Sequence, residues 1–174
     1  NPISSYAIEK VEVEKILMER ENVISLRLAT VFGMSPRMRV DLLVNDFVYR
    51  ACKDKSVVLF ESHFKRNYIH VKDVRKAFIH SLNNFQIMKS QIFNVGLSSA
   101  NLSKMELCNK IKEQIPGFSI IEAQVGKDPD QRNYIVSNEK LEKTGWNPDV
   151  SIEDGIIEMI KGFKMLRNNV YGNI

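Results

Sequence analysis

The stretch SSYAIEKVEVEKILMERENVISLRLA, residues 4–29, decides the fold of this chain. Its first part predicts a helix that is capped by Ser4 or Ser5 and continues to about Arg20. The apolar, β-branched run Val23–Ala29 that follows predicts a buried strand. A helix followed directly by a buried strand is typical of α/β proteins.

The same alternation continues downstream of this stretch. Further strands are predicted at residues 56–60, 91–95, 118–123 and 134–136. Further helices are predicted at residues 40–51, 73–83, 103–115, 139–143 and 152–166. Residues 30–37 and 63–68 are predicted to be loops. The pattern indicates the α/β class, without internal repeats.

Composition narrows the classes of function. A chain of 174 residues with 44% hydrophobic content can bury one good core. No apolar run is long enough for a bilayer and no signal peptide is visible, so we expect a cytoplasmic protein. The net charge of +4 is scattered rather than arranged in a basic stripe, which argues against nucleic-acid binding. Cys52 and Cys108 belong to no metal or redox motif, so we expect buried thiols.

Chemistry is suggested by Tyr6 and Lys10, which lie four residues apart on the first predicted helix. This spacing places both side chains on one helix face. An ammonium beside a phenol favours the phenolate, which lets a tyrosine exchange protons near neutral pH. Taken alone, the pair is more typical of a solvated helix face than of a catalytic site.

Five stretches, in order along the chain, resemble one known family. They are Pro2–Lys10, Leu26–Gly33, Arg66–Val74, Phe93–Gly96 and Gly145–Pro148. Together they are similar to the C-terminal half of an extended short-chain dehydrogenase/reductase, in the group of NAD-dependent nucleotide-sugar epimerases and dehydratases that includes UDP-glucose 4-epimerase-like enzymes. The resemblance implies an incomplete, Rossmann-like doubly wound sheet, of which this chain supplies the C-terminal part, and a smaller α/β substrate-binding domain.

The family also implies a division of the chain. Residues 1–35 and 67–97 would belong to the NAD(P)-binding domain, and residues 36–66 and 98–174 to the nucleotide-sugar-binding domain. No glycine-rich phosphate-binding turn occurs between a strand and a helix anywhere in the sequence. We therefore expect a C-terminal fragment that is inactive alone. The resemblance also implies a homodimer when the protein is complete.

Site residues follow from the resemblance. Tyr6 and Lys10 would be catalytic, with Lys10 also holding the nicotinamide ribose of NAD or NADP. Ala29 would line the nicotinamide, and Thr30 the substrate phosphates. Many relatives have Asn at the position of Thr30. An ordinary loop is the alternative for the Ala29–Thr30 pair.

The substrate implied is a nucleoside-diphosphate sugar. Arg66 and Arg132 would grip its diphosphate, with Lys127, at a position where relatives have Arg, as a weaker contact. Phe60, and less surely Val58, would meet the nucleobase. The alternative for Arg66 is a surface arginine, and the alternative for Phe60 is a core aromatic residue. His70 is interpreted as a structural histidine, because no other ligands stand at metal spacing, and residues 35–39 as a solvated basic loop.

The leading interpretation is a nucleoside-diphosphate-sugar epimerase acting at the sugar C4 through a transient 4-keto sugar. A 4,6-dehydratase or a reductase on the same scaffold is the nearest alternative. A non-catalytic regulator derived from a Rossmann fold is an alternative from another class. The Tyr6–Lys10 pair favours an enzyme.

Overall fold

Strands and helices alternate along the chain, which confirms the predicted α/β class. The protein is described here by a computed structural model, which covers residue 2, residues 4–123 and residues 133–165. The strands are β1 (Ile24–Leu28), β2 (Thr30–Phe32), β3 (Ser56–Leu59), β4 (Lys65–His70), β5 (Gln91–Val95), β6 (Asn101–Ser103) and β7 (Ser119–Glu122). The helices are α1 (Ser5–Met18), α2 (Leu43–Lys53), α3 (Val71–Asn83), α4 (Phe85–Met88), α5 (Lys104–Gln114), α6 (Glu139–Glu142) and α7 (Ile152–Met165). A 3₁₀ turn spans Ser98–Ala100.

Strands β1 and β2 form one nearly continuous strand that changes its partner at Ala29. Strand β1 pairs in parallel with β5, and β2 pairs in parallel with β4. The N–H of Ala29, between them, donates to the Val95 carbonyl at 2.9 Å. Beyond β5, the N–H of Leu97 donates to the Tyr68 carbonyl of β4 at 2.9 Å. The change of partner therefore lies at the carboxyl end of β1, where ligands bind in open α/β sheets.

The remaining strand pairs join distant parts of the chain. Strand β4 also pairs with β6, in antiparallel orientation, and β3 pairs in parallel with β7. The β1–β5 pair falls in the predicted NAD(P)-binding part, and the β3–β7 pair in the predicted sugar-binding part. Strand β4 spans the predicted boundary at residues 66 and 67. The domain division stays a prediction.

The core is one cluster of buried apolar side chains drawn from both parts of the chain. Its largest fully buried members include Trp146, Tyr68, Phe32, Phe93 and Phe118. Burial of such side chains stabilises the fold by roughly 2–3 kcal/mol each. Cys108 lies in this core as a free thiol, and its burial raises its pKa to about 12. Cys52 is half-buried and free, so both cysteines are thiols, as predicted.

Three predictions of local structure are wrong. Residues 30–37 and 63–68 were predicted as loops, but they contain β2 and most of β4. Strand β4 was hidden because it begins with the polar residues 65–67, which pair with β6, while only its later residues 68–70 pair with β2. Residues 134–136 form no strand. The backbone bond from Tyr134 N–H to the Lys65 carbonyl, at 3.1 Å, and the side chain of Asn101 hold them instead.

An apolar groove of about 340 Å³ lies between β1 and helices α3 and α4. Phe78 and Leu82 of α3 line it together with Ile24 and Leu26 of β1. Both α3 side chains are exposed, because in the described part of the chain β1 has no neighbouring strand other than β5. The 3.6-residue period correctly predicts helix α3 but cannot show how far the sheet beneath it extends.

Candidate active site

Tyr6 and Lys10 lie side by side near the beginning of α1. The Ser4 side chain accepts the Ala7 N–H at 3.2 Å and caps the helix, as the sequence predicts. The Lys10 Nζ atom lies 5.5 Å from the centroid of the Tyr6 ring. Tyr6 is 69% exposed, and no residue of α1 is buried. The pair is therefore an accessible phenol and ammonium, open to a ligand.

Glu14 attaches this helix to the sheet. Its carboxylate accepts the hydroxyl of Ser25 at 2.6 Å and the Nε–H of Arg27 at 2.9 Å. The Arg27 hydrogen bond holds the pKa of Glu14 below its usual value, against the opposing effect of desolvation. Ala7, Val11 and Met18 of α1 are half-buried on the same face, and the Glu14 carboxylate adds a polar contact between this helix and β1.

Ala29 and Thr30 stand at the change of strand partner. Both are half-buried, and Thr30 lies opposite Tyr68 in the β2–β4 register. The ordinary-loop alternative for Thr30 is wrong, since this residue begins strand β2. The placement is compatible with a ligand at the carboxyl end of β1.

A cleft of about 260 Å³ opens along the segment that follows β2. Its lining includes Gly33, Ser35, Arg37, Arg39 and Asn45. Arg39 is half-exposed and bonds Asp41 through two nitrogens. The segment 35–39, interpreted from sequence as a solvated basic loop, thus contributes Ser35, Arg37 and Arg39 to the lining of a cleft.

Asn45 of α2 holds both ends of this segment. Its Oδ1 accepts the Gly33 N–H at 3.2 Å, and its Nδ2 donates to the Arg39 carbonyl at 2.8 Å. Asn45 is buried, so both bonds are made away from water. Sequence reasoning missed this residue, because an Asn within an amphipathic helix carries no sign of such a bridge.

His70 is a structural residue, as the sequence predicts. It is fully buried at the end of β4, packs edge-on against Phe32 at 5.2 Å between ring centroids, and accepts the Lys72 N–H on Nδ1 at 3.3 Å. Its Nε2 faces the Glu158 carboxylate at 3.5 Å. Burial lowers the pKa of His70, and the charge of Glu158 opposes that change.

The diphosphate candidate Arg66 lies on β4, and the nucleobase candidates Val58 and Phe60 lie on β3 and directly after it. Arg66 is only 2% exposed on β4, so the alternative of a surface arginine is wrong. Phe60 is 38% exposed and Val58 is 50% exposed, so neither is a core residue. Both line a cleft of about 360 Å³ with Phe47 and Arg50 of α2. Lys104 fixes the backbone here by donating to the Phe60 carbonyl at 2.6 Å.

Two candidates, Lys127 and Arg132, lie outside the described residues. The described chain resumes at Asn133, whose Oδ1 accepts the N–H of Lys65 at 3.0 Å. Asn133 therefore sits against the strand that carries Arg66.

Two other kinds of site are absent from the described residues. No helix among them combines the length and the apolar character that crossing a bilayer demands. They also contain no cluster of three or more His, Cys, Asp or Glu side chains arranged to hold a metal ion.

Comparison with known proteins places this geometry in a family. Residues 1–96, more than half of the chain, match the model of the NAD dependent epimerase/dehydratase family. UDP-glucuronic acid decarboxylase 3 of Arabidopsis thaliana is 28% identical over 184 aligned positions, covering 99% of this chain and 52% of the relative. The chain spans about half the length of the curated relatives it matches.

Solved structures agree in fold. UDP-glucose 4-epimerase of Thermus thermophilus, in complex with NAD, is 26% identical with a TM-score of 0.78, covering 95% of this chain and 55% of that chain. dTDP-glucose 4,6-dehydratase of Bacillus anthracis, 21% identical, has a TM-score of 0.79 over 99% of this chain and 55% of that one. On the match of its first 96 residues and this shared fold, the chain belongs to the NAD dependent epimerase/dehydratase family.

Proposed function

We propose that the complete protein is an NAD(P)-dependent nucleoside-diphosphate-sugar epimerase that acts at the sugar C4. The observation that carries the proposal is the accessible Tyr6–Lys10 pair, with Lys10 Nζ 5.5 Å from the Tyr6 ring. A phenol that moves a proton and an ammonium that stabilises negative charge beside it are the groups that alcohol oxidation needs.

The residues present fit the nicotinamide end of such a cofactor. Lys10 forms no ion pair within the described part of the chain, so its ammonium is available to the hydroxyls of a ribose. Ala29, at the end of β1, has the small side chain that a flat ring needs beside it. The pyrophosphate end has no glycine-rich turn in this sequence, so these 174 residues do not supply that contact.

The proposed mechanism is a reversible oxidation. Bound nicotinamide would accept a hydride from C4 and return it. Tyr6 would remove the proton of the C4 hydroxyl, so that oxidation at C4 gives a 4-keto sugar. After the sugar turns over in the cleft, Tyr6 would return the proton to the C4 oxygen, and the reduced sugar would have the inverted configuration. Lys10 stabilises the phenolate between the two steps.

The diphosphate would be held by Arg66, with Arg132 as the second contact and Lys127 as a weaker one. A buried guanidinium is favoured when it forms parallel hydrogen bonds to an anion, and Arg66 is buried on β4. The bond between Asn133 and Lys65 places the chain that follows Arg132 beside this strand. Phe60 and Val58, both partly exposed beside Arg50, would take the nucleobase. Thr30 would contact the substrate phosphates.

Product analysis separates this reaction from its family alternatives. The complete protein would be incubated with NAD and, separately, UDP-glucose, dTDP-glucose and UDP-glucuronic acid, and the products identified by NMR. Inversion at C4 is the expected result. A 4-keto-6-deoxy product would establish a dehydratase, and loss of carbon dioxide a decarboxylase. Absence of any product, with NAD bound, would support the non-catalytic alternative.

We also propose that the complete protein is a homodimer. Helix α1 leaves Ile8, Val13 and Ile16 exposed, and apolar side chains of this kind are commonly covered by a partner. Light scattering of the complete protein tests this expectation, and a monomeric mass at micromolar concentration would contradict it.

A further inference from the structure

Side-chain amides, instead of a strand ladder, hold the segment of residues 133–137 against the sheet. Asn101 of β6 donates through Nδ2 to the Val136 carbonyl at 3.1 Å and accepts the Val136 N–H on Oδ1 at 2.9 Å. Asn94 of β5 donates to the Ser137 carbonyl at 3.0 Å. A carboxamide carries the same donor and acceptor as a peptide group. Asn101 therefore pairs with Val136 as a residue of a neighbouring strand would.

The beginning of the 133–137 segment bonds to the residue before Arg66. Oδ1 of Asn133 accepts the Lys65 N–H at 3.0 Å. The Tyr134 N–H donates to the Lys65 carbonyl at 3.1 Å. Both backbone groups of Lys65 are thus satisfied by this segment, which joins it to the start of β4.

Strand pairing alone leaves these groups of β4 without partners. Strand β2 pairs with β4 from Tyr68 onward, and in the described part of the chain β6 is the one strand that pairs with residues 65–67. The 133–137 segment therefore supplies the second set of backbone bonds at this point. Arg66 is only 2% exposed, so its guanidinium cannot swing through solvent and its position follows that of the strand.

Close packing fixes the chain where the segment ends. Asn138 is buried, and its Nδ2 lies 3.5 Å from Asn67 Oδ1 and 3.4 Å from Ser98 Oγ. A Cβ atom on Gly96 would lie 1.7 Å from Asn67 Oδ1 and 2.7 Å from Asn138 Oδ1. The glycine thus leaves room for both amides. The segment is anchored at this end by packing and in its middle by Asn101.

We propose that Asn101 is a positioning residue for the diphosphate site proposed above: by holding Val136 it keeps the 133–137 segment against Lys65 and so fixes Arg66 at the start of β4. The proposal rests on the proposed function, because it requires that Arg66 binds the diphosphate. Asn101 acts through the backbone of Val136 and needs no contact with the ligand. It also lies outside residues 1–96, which the family model matches.

Hydrogen exchange of the complete protein, followed by mass spectrometry, tests the attachment directly. N101A removes both partners of Val136, and exchange in residues 133–137 should rise about tenfold. N101D keeps an acceptor for the Val136 N–H and loses the donor, so a rise of about threefold is expected. N83A is the matched control, because Asn83 is an exposed asparagine at the end of α3. Equal exchange in N101A and N83A would overturn the proposal.

Nucleotide binding tests whether this attachment matters to the diphosphate site. Calorimetric titration of the wild type with UDP, dTDP and GDP identifies the nucleotide that binds most tightly. The Kd of that nucleotide should rise about fivefold in N101A and stay unchanged in N83A, because Arg66 is no longer held in place. An unchanged Kd in N101A, despite faster exchange, would overturn the positioning role.

A double-mutant cycle separates positioning of Arg66 from a general structural role. In an R66M background, N101A should raise the Kd by less than about twofold, because the group that it positions is already gone. A general structural role predicts the same fivefold rise in both backgrounds. That result would overturn the proposal.

A second variant keeps the test decisive if N101A does not fold. Asn133 is exposed, so N133A removes the acceptor of the Lys65 N–H without opening the core. It should raise the Kd about threefold, and no rise would count against the proposal. Nucleotide binding does not depend on the reaction catalysed. A 4-keto-6-deoxy product would therefore refute the proposed epimerase and leave these expectations standing, whereas wild type that binds none of the three nucleotides would refute the diphosphate site and the role of Asn101 with it.

Discussion

Glu14 of the helix that carries Tyr6 accepts the Nε–H of Arg27 on β1 at 2.9 Å, and this ion pair spans the helix and the sheet. The same carboxylate accepts the Ser25 hydroxyl at 2.6 Å. These polar bonds join the proposed catalytic helix to the sheet beside the half-buried side chains of Ala7, Val11 and Met18. Glu14 thus supports the helix that carries the Tyr6–Lys10 pair.

Replacing Glu14 by alanine should loosen α1. Amide exchange within residues 5–18 is expected to become about tenfold faster, because the helix loses its charge-assisted contacts with β1. Exchange of the complete protein, measured by mass spectrometry, checks this. E12A is the control, since Glu12 is exposed on the same helix. Similar exchange in E14A and E12A would show that other contacts hold α1.

Replacing Tyr6 by phenylalanine should lower kcat by about a hundredfold to ten-thousandfold, because the proton of the sugar hydroxyl loses its acceptor. Tyr6 is largely exposed, so the melting temperature should stay the same. Y49F, which removes a hydroxyl from α2 away from the pair, is the matched control. Y6F with more than a tenth of wild-type turnover would rule out the catalytic assignment.

Replacing Arg66 should weaken binding of the diphosphate. UDP affinity is expected to fall about tenfold in R66K, which keeps the charge but loses the parallel hydrogen bonds, and about a hundredfold in R66M. Calorimetric titration with UDP measures both. R75M is the control, since Arg75 is exposed on α3. Unchanged UDP affinity in R66M would remove Arg66 from the substrate site.

Asp73 should contribute strongly to stability. Its carboxylate accepts the N–H groups of Asp149 at 2.9 Å and Val150 at 3.1 Å, which ties α3 to the chain before α7. D73A leaves both donors without this acceptor and should lower the free energy of unfolding by about 3 kcal/mol. Urea denaturation measures the loss. D54A, at an exposed aspartate after α2, should change stability by less than about 0.5 kcal/mol. If D73A lost no more stability than D54A, the proposed role of Asp73 would be contradicted.

Stability should depend on pH through His70. Burial lowers its pKa from 6.5, although the negative charges of Glu158 and Asp73 oppose the shift and the positive charge of Lys72 adds to it. The unfolded chain therefore binds more protons just below pH 6.5. Stability from this group is present above pH 6.5 and is lost as pH falls through the folded pKa. The free energy of unfolding, measured by urea denaturation between pH 7 and 5, should change less with pH in H70Q than in wild type or in H63Q, which alters an exposed histidine. An equal change with pH in H70Q and wild type would contradict this role of His70.

The sequence predicts the elements whose local pattern is strong. Strand β5 was predicted at residues 91–95 and occurs there, because apolar residues run up to a terminating glycine. The start of α5 also follows a local pattern, Ser103 with Glu106 three residues later: Ser103 accepts the Glu106 N–H at 3.1 Å, and the Glu106 carboxylate accepts the Ser103 N–H at 2.7 Å. Both depend on residues close together in sequence.

The contacts missed from sequence join residues far apart in the chain. The predicted helix begins at Asp73, but α3 begins at Val71 with His70 accepting the capping N–H, and Asp73 binds backbone more than seventy residues away. The contact between Glu158 and His70 at 3.5 Å likewise joins the last described helix to β4. Neither carries a local signal, because helical glutamates and aspartates are usually solvated.

The most direct measurement is the absorbance of reduced nicotinamide at about 340 nm after the complete, NAD-loaded protein is mixed with its nucleotide sugar in a stopped-flow instrument. A transient rise in wild type, absent in Y6F, is the predicted result, because oxidation at C4 requires Tyr6 to take the hydroxyl proton. Turnover of the sugar without any such transient, or an equal transient in Y6F, would contradict the proposal that this chain supplies the proton-transfer pair of a hydride-transfer enzyme.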